Sequence, residues 1–211
     1  MDLSSFGINY GPEFQRYNSQ YGNALEKIGW TWYDTVPYVS AATNALRAFG
    51  AIRATLNLGN MEIAGQLASP KAFFVRAIRV KMLGDPFVTT AAADGNPQTG
   101  SVDDAALLLE TGVLQFTIGQ KNYGQWPLWM LPAGGGIKPF FQTGDIDVVV
   151  QYANNGVEDP RAVYSLSVPV FIGPQMNFAI DLLWPAGPVT LDQGNINIWV
   201  GLDGDLLRPV Q

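Results

Sequence analysis

Apolar and polar positions alternate most clearly from Lys71 onward. The stretch "KAFFVRAIRVKML" (71–83) sets Phe74, Ile78 and Val80 against Arg79 and Lys81. That is the period of two of a long strand with cations on one side. Further runs cover 112–118, 123–131, 145–152, 162–171, 175–184 and 195–202, and "DLLRPVQ" closes the chain. With 71–83 they make eight strand-like runs, separated by loops of Gly, Pro, Asn and Asp. Pro127 inside 123–131 argues for an edge or a bulge, because proline donates nothing to a ladder. Residues 84–104 read as a loop of small residues, after which Asp103 caps a short helix over 104–110. No long amphipathic helix interrupts the strands. The pattern predicts an all-β antiparallel β-sandwich. Eight strands in two sheets is the jelly-roll number. An immunoglobulin-like sandwich has seven to nine strands, so the count leaves both open. No internal repeat points to a propeller or a solenoid.

The first 35 residues have no clear period. "GINYGPEFQRYNSQYGNALEKIGWTWYD" reads as an extended N-terminal arm with a short turn of helix. Its Tyr10, Phe14, Tyr17, Tyr21, Trp30, Trp32 and Tyr33 are costly to leave in water, which predicts packing on the domain or on a neighbouring subunit. Ala42, Leu46, Phe49 and Ile52 lie at helical spacing and predict a short helix over 38–49. "IRATLNLGNMEIAGQL" then alternates like a hairpin about Gly59-Asn60. The expected organisation is an arm with a helix and a hairpin over 1–70, followed by a sandwich domain over 71–211.

Composition changes this picture toward assembly. The chain has 211 residues, of which 47% are hydrophobic and only 14% charged, against about 25% charged in an average soluble domain. A surface so poor in charge faces protein more readily than water, so the expected partners are copies of the chain itself. The net charge of −6 divides into +3 over residues 1–81 (eight basic, five acidic) and −9 over 82–211 (four basic, thirteen acidic). No basic run exists, which argues against specific nucleic-acid binding. The absence of Cys and His removes disulfides, thiolate and imidazole metal ligands, and histidine-based triads. No cofactor motif appears. No stretch approaches 18 uninterrupted apolar residues, so no membrane span is expected, and the N-terminus lacks the basic and apolar regions of a signal peptide.

Catalytic motifs fail on context. "PAGGGIKPF" lacks the Gly-Lys-Ser/Thr ending and the following helix of a phosphate loop, and reads as a turn between strands. Asp145/Asp147, Glu158/Asp159 and Asp203/Asp205 are carboxylate pairs of the kind a glycosidase uses, but each sits where solvated turns are common. "LDGD" (202–205) lacks the other ligands of a calcium loop. There is no Gly-x-Ser-x-Gly, and Ser69 and Lys71 merely flank a proline. No enzymatic activity is expected. In the strand over 123–131, Trp126 and Trp129 fall on opposite faces, so one points inward and the other invites a partner. The contact candidates are thus Tyr10, Phe14, Tyr17, Tyr21, Trp30, Trp32, Trp126 and Trp129.

Three stretches, "FFVRAIRVKML", "LQFTIGQKNYGQWPLWMLPAGGG" and "PQMNFAIDLLWPAGPVTLDQGNINIWVGLDGDLLRPVQ", give the chain a resemblance over about residues 71–211. It resembles the small single jelly-roll virion proteins of bacteriophages, of the capsid or capsid-attached type. The resemblance implies a structural role in the virion without catalysis. It also implies oligomers around symmetry axes, with copies of the chain and other virion proteins as partners. The alternative is a non-catalytic, lectin-like carbohydrate-binding module on the same architecture, stacking a glycan on Trp126 or Trp129. A glycoside hydrolase using Asp145 and Asp147 is the third reading.

Overall fold

The computed structural model describes residues 11–21, 25–83, 88–89, 100–143, 149–157, 159–191 and 195–210. Helix α1 (Pro12–Tyr21) precedes strands β1 (Leu25–Tyr38), β2 (Ala45–Ala48), β3 (Ala72–Leu83) and β4 (Val88–Thr89). Helix α2 (Gly100–Thr111) leads into β5 (Val113–Ile118), β6 (Lys121–Pro127) and a 3-10 turn at Leu128–Met130. Strands β7 (Gly135–Thr143), β8 (Val149–Gly156), β9 (Ser165–Ile172), β10 (Phe178–Leu183) and β11 (Ile196–Pro209) complete the order. The chain is mostly β. Two antiparallel four-stranded sheets have the orders β1-β11-β3-β9 and β2-β10-β5-β6, and β4-β8-β7 form a smaller third sheet.

Alternation places the core. Leu114, Phe116 and Ile118 of β5, and Phe178, Ile180 and Leu182 of β10, are buried. They join Ile78, Val80 and Met82 of β3 and Ile198, Val200 and Leu202 of β11 in one apolar cluster. Both four-stranded sheets therefore turn one face to a shared core. Helix α2 adds Ala105, Leu108 and Leu109. It is pinned there by Trp184, whose Nε1 donates to the Leu108 carbonyl at 3.2 Å and whose ring meets Tyr38 edge-on at 4.6 Å. Trp184→Phe should cost about 1–2 kcal/mol through the lost hydrogen bond and lost volume. Urea denaturation would show it, and an unchanged midpoint would remove the pinning role.

The alternation read over 71–83, 112–118 and 175–184 corresponds to β3, β5 and β10. Elsewhere the structure corrects the expectations. Residues 25–38 are not an extended arm. They form β1, which pairs along its length with β11 from Leu25↔Pro209 to Tyr38↔Ile196. The helix over 38–49 is absent, and Ala45–Ala48 form β2 against β10, with Leu46 opposite Leu182 and Ala48 opposite Ile180. A weak helical spacing yields here to cross-strand pairing. Gly59-Asn60 turns no hairpin, since Gly59 makes an isolated bridge to Asp34 of β1. The strand over 123–131 stops at Pro127. The triple-glycine turn is a strand start, with Gly135 and Gly136 opening β7 opposite β8. Helix α2 begins at Gly100, ahead of Asp103, and outruns the short helix over 104–110. The last two expected strands are one strand, β11, because a bulge at Asp203/Gly204 absorbs the irregularity in its pairing with β3. Of the run 145–152, residues 145–148 lie outside the described residues. Among the described residues no helix is long and apolar enough to cross a membrane.

Candidate functional site

The aromatics of α1 are used within the chain. Pro12 starts the helix, where its missing N–H costs nothing, and Phe14, Tyr17 and Tyr21 follow on one face. Phe14 and Tyr17 are buried with Ala72, Phe74, Phe171 and Leu207 in a second cluster, with Tyr21 and Leu25 at its rim. This cluster lies on the face of β3 and β11 turned away from the main core, since the neighbouring Phe73 and Leu206 belong to the other cluster. Phe14 meets Phe74 at 5.2 Å and Phe171 at 5.3 Å. Phe14 and Tyr17 thus pack on the domain, one of the two placements their aromatic character predicts. Tyr10 lies outside the described residues.

Tyr17 donates its hydroxyl to the Pro70 carbonyl at 2.9 Å. Burial, helped by the neighbouring Tyr21, pushes its pKa from 10.0 up to about 12. The folded state keeps a proton that the unfolded state releases near pH 10. The stabilisation is whole below pH 10 and is lost as pH rises to about 12. The melting temperature should therefore fall more steeply across this window in the wild type than in Tyr17→Phe. Parallel curves for the two proteins would contradict the linkage.

The edge of β1 is built around a buried carboxylate. Asp34 is 1% exposed. It accepts hydrogen bonds from the backbone N–H of Phe49 at 2.7 Å and of Thr35 at 2.9 Å. Arg53 adds a two-pronged contact, with Nη2 to Oδ2 at 2.9 Å. That hydrogen bonding raises the Arg53 pKa above its ordinary value and keeps it charged. The segment after β2 is thereby tied to β1. Asn60 completes the join by acting as a piece of strand. Its N–H donates to the Tyr33 carbonyl at 3.2 Å, its Oδ1 accepts from the Tyr33 N–H at 2.8 Å, and its Nδ2 donates to the Thr31 carbonyl at 2.8 Å.

Asp203 and Asp205 are not a solvated turn but residues of β11. Asp203 is held by the Arg79 guanidinium and the Thr31 hydroxyl. Asp205 pairs with Lys27 and Arg76. Beside them the Trp199 indole lies across Gly201, where an added Cβ would sit 2.2 Å from the ring. Tyr33 stacks on this indole at 6.0 Å, and the Arg79 and Lys81 cations approach its ring at 5.2 and 5.5 Å. Burial first, and Arg79 second, lower the Lys81 pKa, while Asp203 opposes them. Asp145, Asp147 and Glu158 lie outside the described residues. Among the described residues no three His, Cys, Asp or Glu side chains cluster as metal ligands.

Two clefts flank the same edge. One, of about 480 Å³, is lined by Ile28, Trp30, Trp32, Leu56, Met61 and Leu206 among others. The other, of about 640 Å³, contains Gly29, Thr31, Tyr33, Asp203 and Gly204 and shares Trp30, Leu56 and Asn60 with the first. Trp30 is 43% exposed and Leu56 76% exposed. Trp32 is buried against the core, edge-to-face with Trp30 at 5.9 Å, and its Nε1 has no acceptor among the described residues. Of the remaining contact candidates, Trp126 is half-buried at the rim of the core and donates to the Tyr164 hydroxyl at 3.0 Å. Trp129 stands 59% exposed on the 3-10 turn. Because β6 ends at Pro127, strand parity does not set their relation. Among the described residues the arrangement offers an open backbone edge between apolar walls. No protein family, curated protein or solved structure matches the chain.

Proposed function

We propose that the chain is a structural protein of a virus particle, a bacteriophage capsid or capsid-attached subunit with a jelly-roll sandwich, acting through contacts with copies of itself and with other virion proteins. One observation carries the reading. Numbering the strands of the two main sheets in chain order turns them into 1-8-3-6 and 2-7-4-5. The pairs 1–8, 2–7, 3–6 and 4–5 are those of one long antiparallel hairpin rolled into two sheets, the double Greek key of a jelly roll. Strands β4, β7 and β8 are insertions between these pairs. Jelly rolls serve capsids, lectins and cupins. The lack of His and Cys removes the usual ligands of a catalytic transition metal. The low charge and the exposed Trp30, Ile52, Leu56 and Val168 favour a surface meant for protein. Sedimentation velocity with negative-stain imaging is the test. Rings, trimers or particles that grow with concentration are expected, and a monomer at every concentration would sink the assignment.

The second reading, a carbohydrate-binding module, has Trp129 as its support, a large aromatic side chain 59% exposed. Binding on a glycan array that disappears with Trp129→Ala would favour it. A blank array would remove it.

A further inference from the structure

Among the described residues the edge of β1 is closed only in part. Tyr33 gives both its N–H and its carbonyl to Asn60, and Thr31 gives its carbonyl to the same side chain. Backbone groups of one parity in a strand point to one side. The odd-numbered residues of β1 therefore turn theirs away from β11, and Lys27 and Gly29 do so beyond the reach of Asn60. Gly29 leaves room for a close approach, since a Cβ there would meet nothing within 4 Å. The clefts lie on the two sides of this edge and both are mainly apolar, one of them with Asp203 and Gly204 in its lining. An added strand presents its side chains alternately to two sides, so an edge with a cleft on each side suits strand addition.

We infer that this edge accepts residues 5–10 of a second copy as an added strand, a step that rests on the assembly reading. Charge selects the occupant. The charged side chains around the edge already have partners: Lys27 with Asp205, Glu26 with Arg208, Arg53 with Asp34 and Lys71 with Glu62. The strand that fits is uncharged, with apolar side chains on one side and small or polar ones on the other. Residues 5–10, "SFGINY", carry no charge and alternate Phe6, Ile8 and Tyr10 with Ser5, Gly7 and Asn9. The aromatic and aliphatic set enters the cleft walled by Trp30, Leu56 and Met61. The polar set faces Asp203.

The test uses the full chain and a labelled synthetic peptide of residues 2–11, followed by fluorescence anisotropy. Gly29→Pro removes one edge N–H, and proline is tolerated where an edge N–H faces solvent. Peptide binding to the wild type that weakens at least tenfold in Gly29→Pro, with circular dichroism and melting unchanged, is the expected result. Equal binding to both proteins, or none to the wild type, overturns the edge assignment. Should Gly29→Pro not fold, N-methylation replaces it: methyls at Phe6 and Ile8 or at Gly7 and Asn9 must abolish binding in one set only, and equal binding of the two peptides overturns the assignment. An assembling chain that ignores the peptide refutes the edge and leaves the assembly reading standing. A chain that binds the peptide but stays monomeric at every concentration supports the edge and refutes assembly.

Discussion

Asp34→Ala is expected to lower the unfolding free energy by about 3–5 kcal/mol, because it leaves a partly buried guanidinium without its counter-charge. Arg53 is only about one-fifth exposed and has its two-pronged contact with this carboxylate. The N–H groups of Thr35 and Phe49 lose their acceptor at the same time. Removing both charges with Asp34→Leu/Arg53→Met should recover part of the loss, since a buried ion pair is often replaceable by apolar packing. Recovery stays incomplete because the backbone donors remain unmatched. Chemical denaturation of the single and double variants measures this. A loss under about 1 kcal/mol in Asp34→Ala would refute the role of the carboxylate as organiser of the edge. A second readout is available. Without Asp34 the Gly59-Asn60 patch loosens, the edge that Asn60 closes at Tyr33 opens, and the variant should aggregate sooner than its stability alone explains.

Gly204→Ala should be as damaging by a different route. A Cβ at this position would sit 1.8 Å from the Phe74 carbonyl oxygen and 2.9 Å from its carbon. The obstacle is backbone, so no side-chain rotation relieves it. The residue lies at the bulge where the β11–β3 register shifts. The methyl must push β3 away from β11 in the middle of a sheet, costing about 3 kcal/mol or more. Gly29→Ala on the neighbouring strand meets nothing and is the control, with a change of about 0.5 kcal/mol or less. Equal melting temperatures for the two variants would mean that the close approach at the bulge is not a constraint.

These residues mark where the sequence is legible and where it is not. Strands β5 and β10 are readable because each buries one face without interruption, Leu114, Phe116 and Ile118 in one and Phe178, Ile180 and Leu182 in the other. Strand β1 hides for a physical reason. Its inward positions are Trp32, Val36 and Tyr38, but Asp34 stands among them. A carboxylate on an apolar face breaks the pattern unless its partner is known, and Arg53 is a loop residue 19 positions away. The same gap in knowledge turned Gly59-Asn60 into a hairpin. An Asn-Gly-type signal is local, whereas Asn60 spends its side chain on a strand 27 residues earlier. Aromatic content identified α1 as something that must be covered. It did not say by what, and Phe74 and Phe171 supply the answer only once β3 and β9 are adjacent. The open edge at Lys27 and Gly29 has no sequence signature, because it exists only where Asn60 stops.

The nested pairing of the strands has a consequence for how the protein is made. The innermost pair, β5 with β6, is a hairpin between Val113 and Pro127 and can close as soon as it leaves the ribosome. The outermost pair joins Leu25 to Pro209. Strand β1 is completed by β11, so its apolar face waits uncovered while all the strands between them are made. Closing so long a loop late, after the inner pairs have shortened it, lowers its entropic cost. The order of assembly should run from the middle of the chain outward, with β1 the last strand to gain protection from hydrogen exchange.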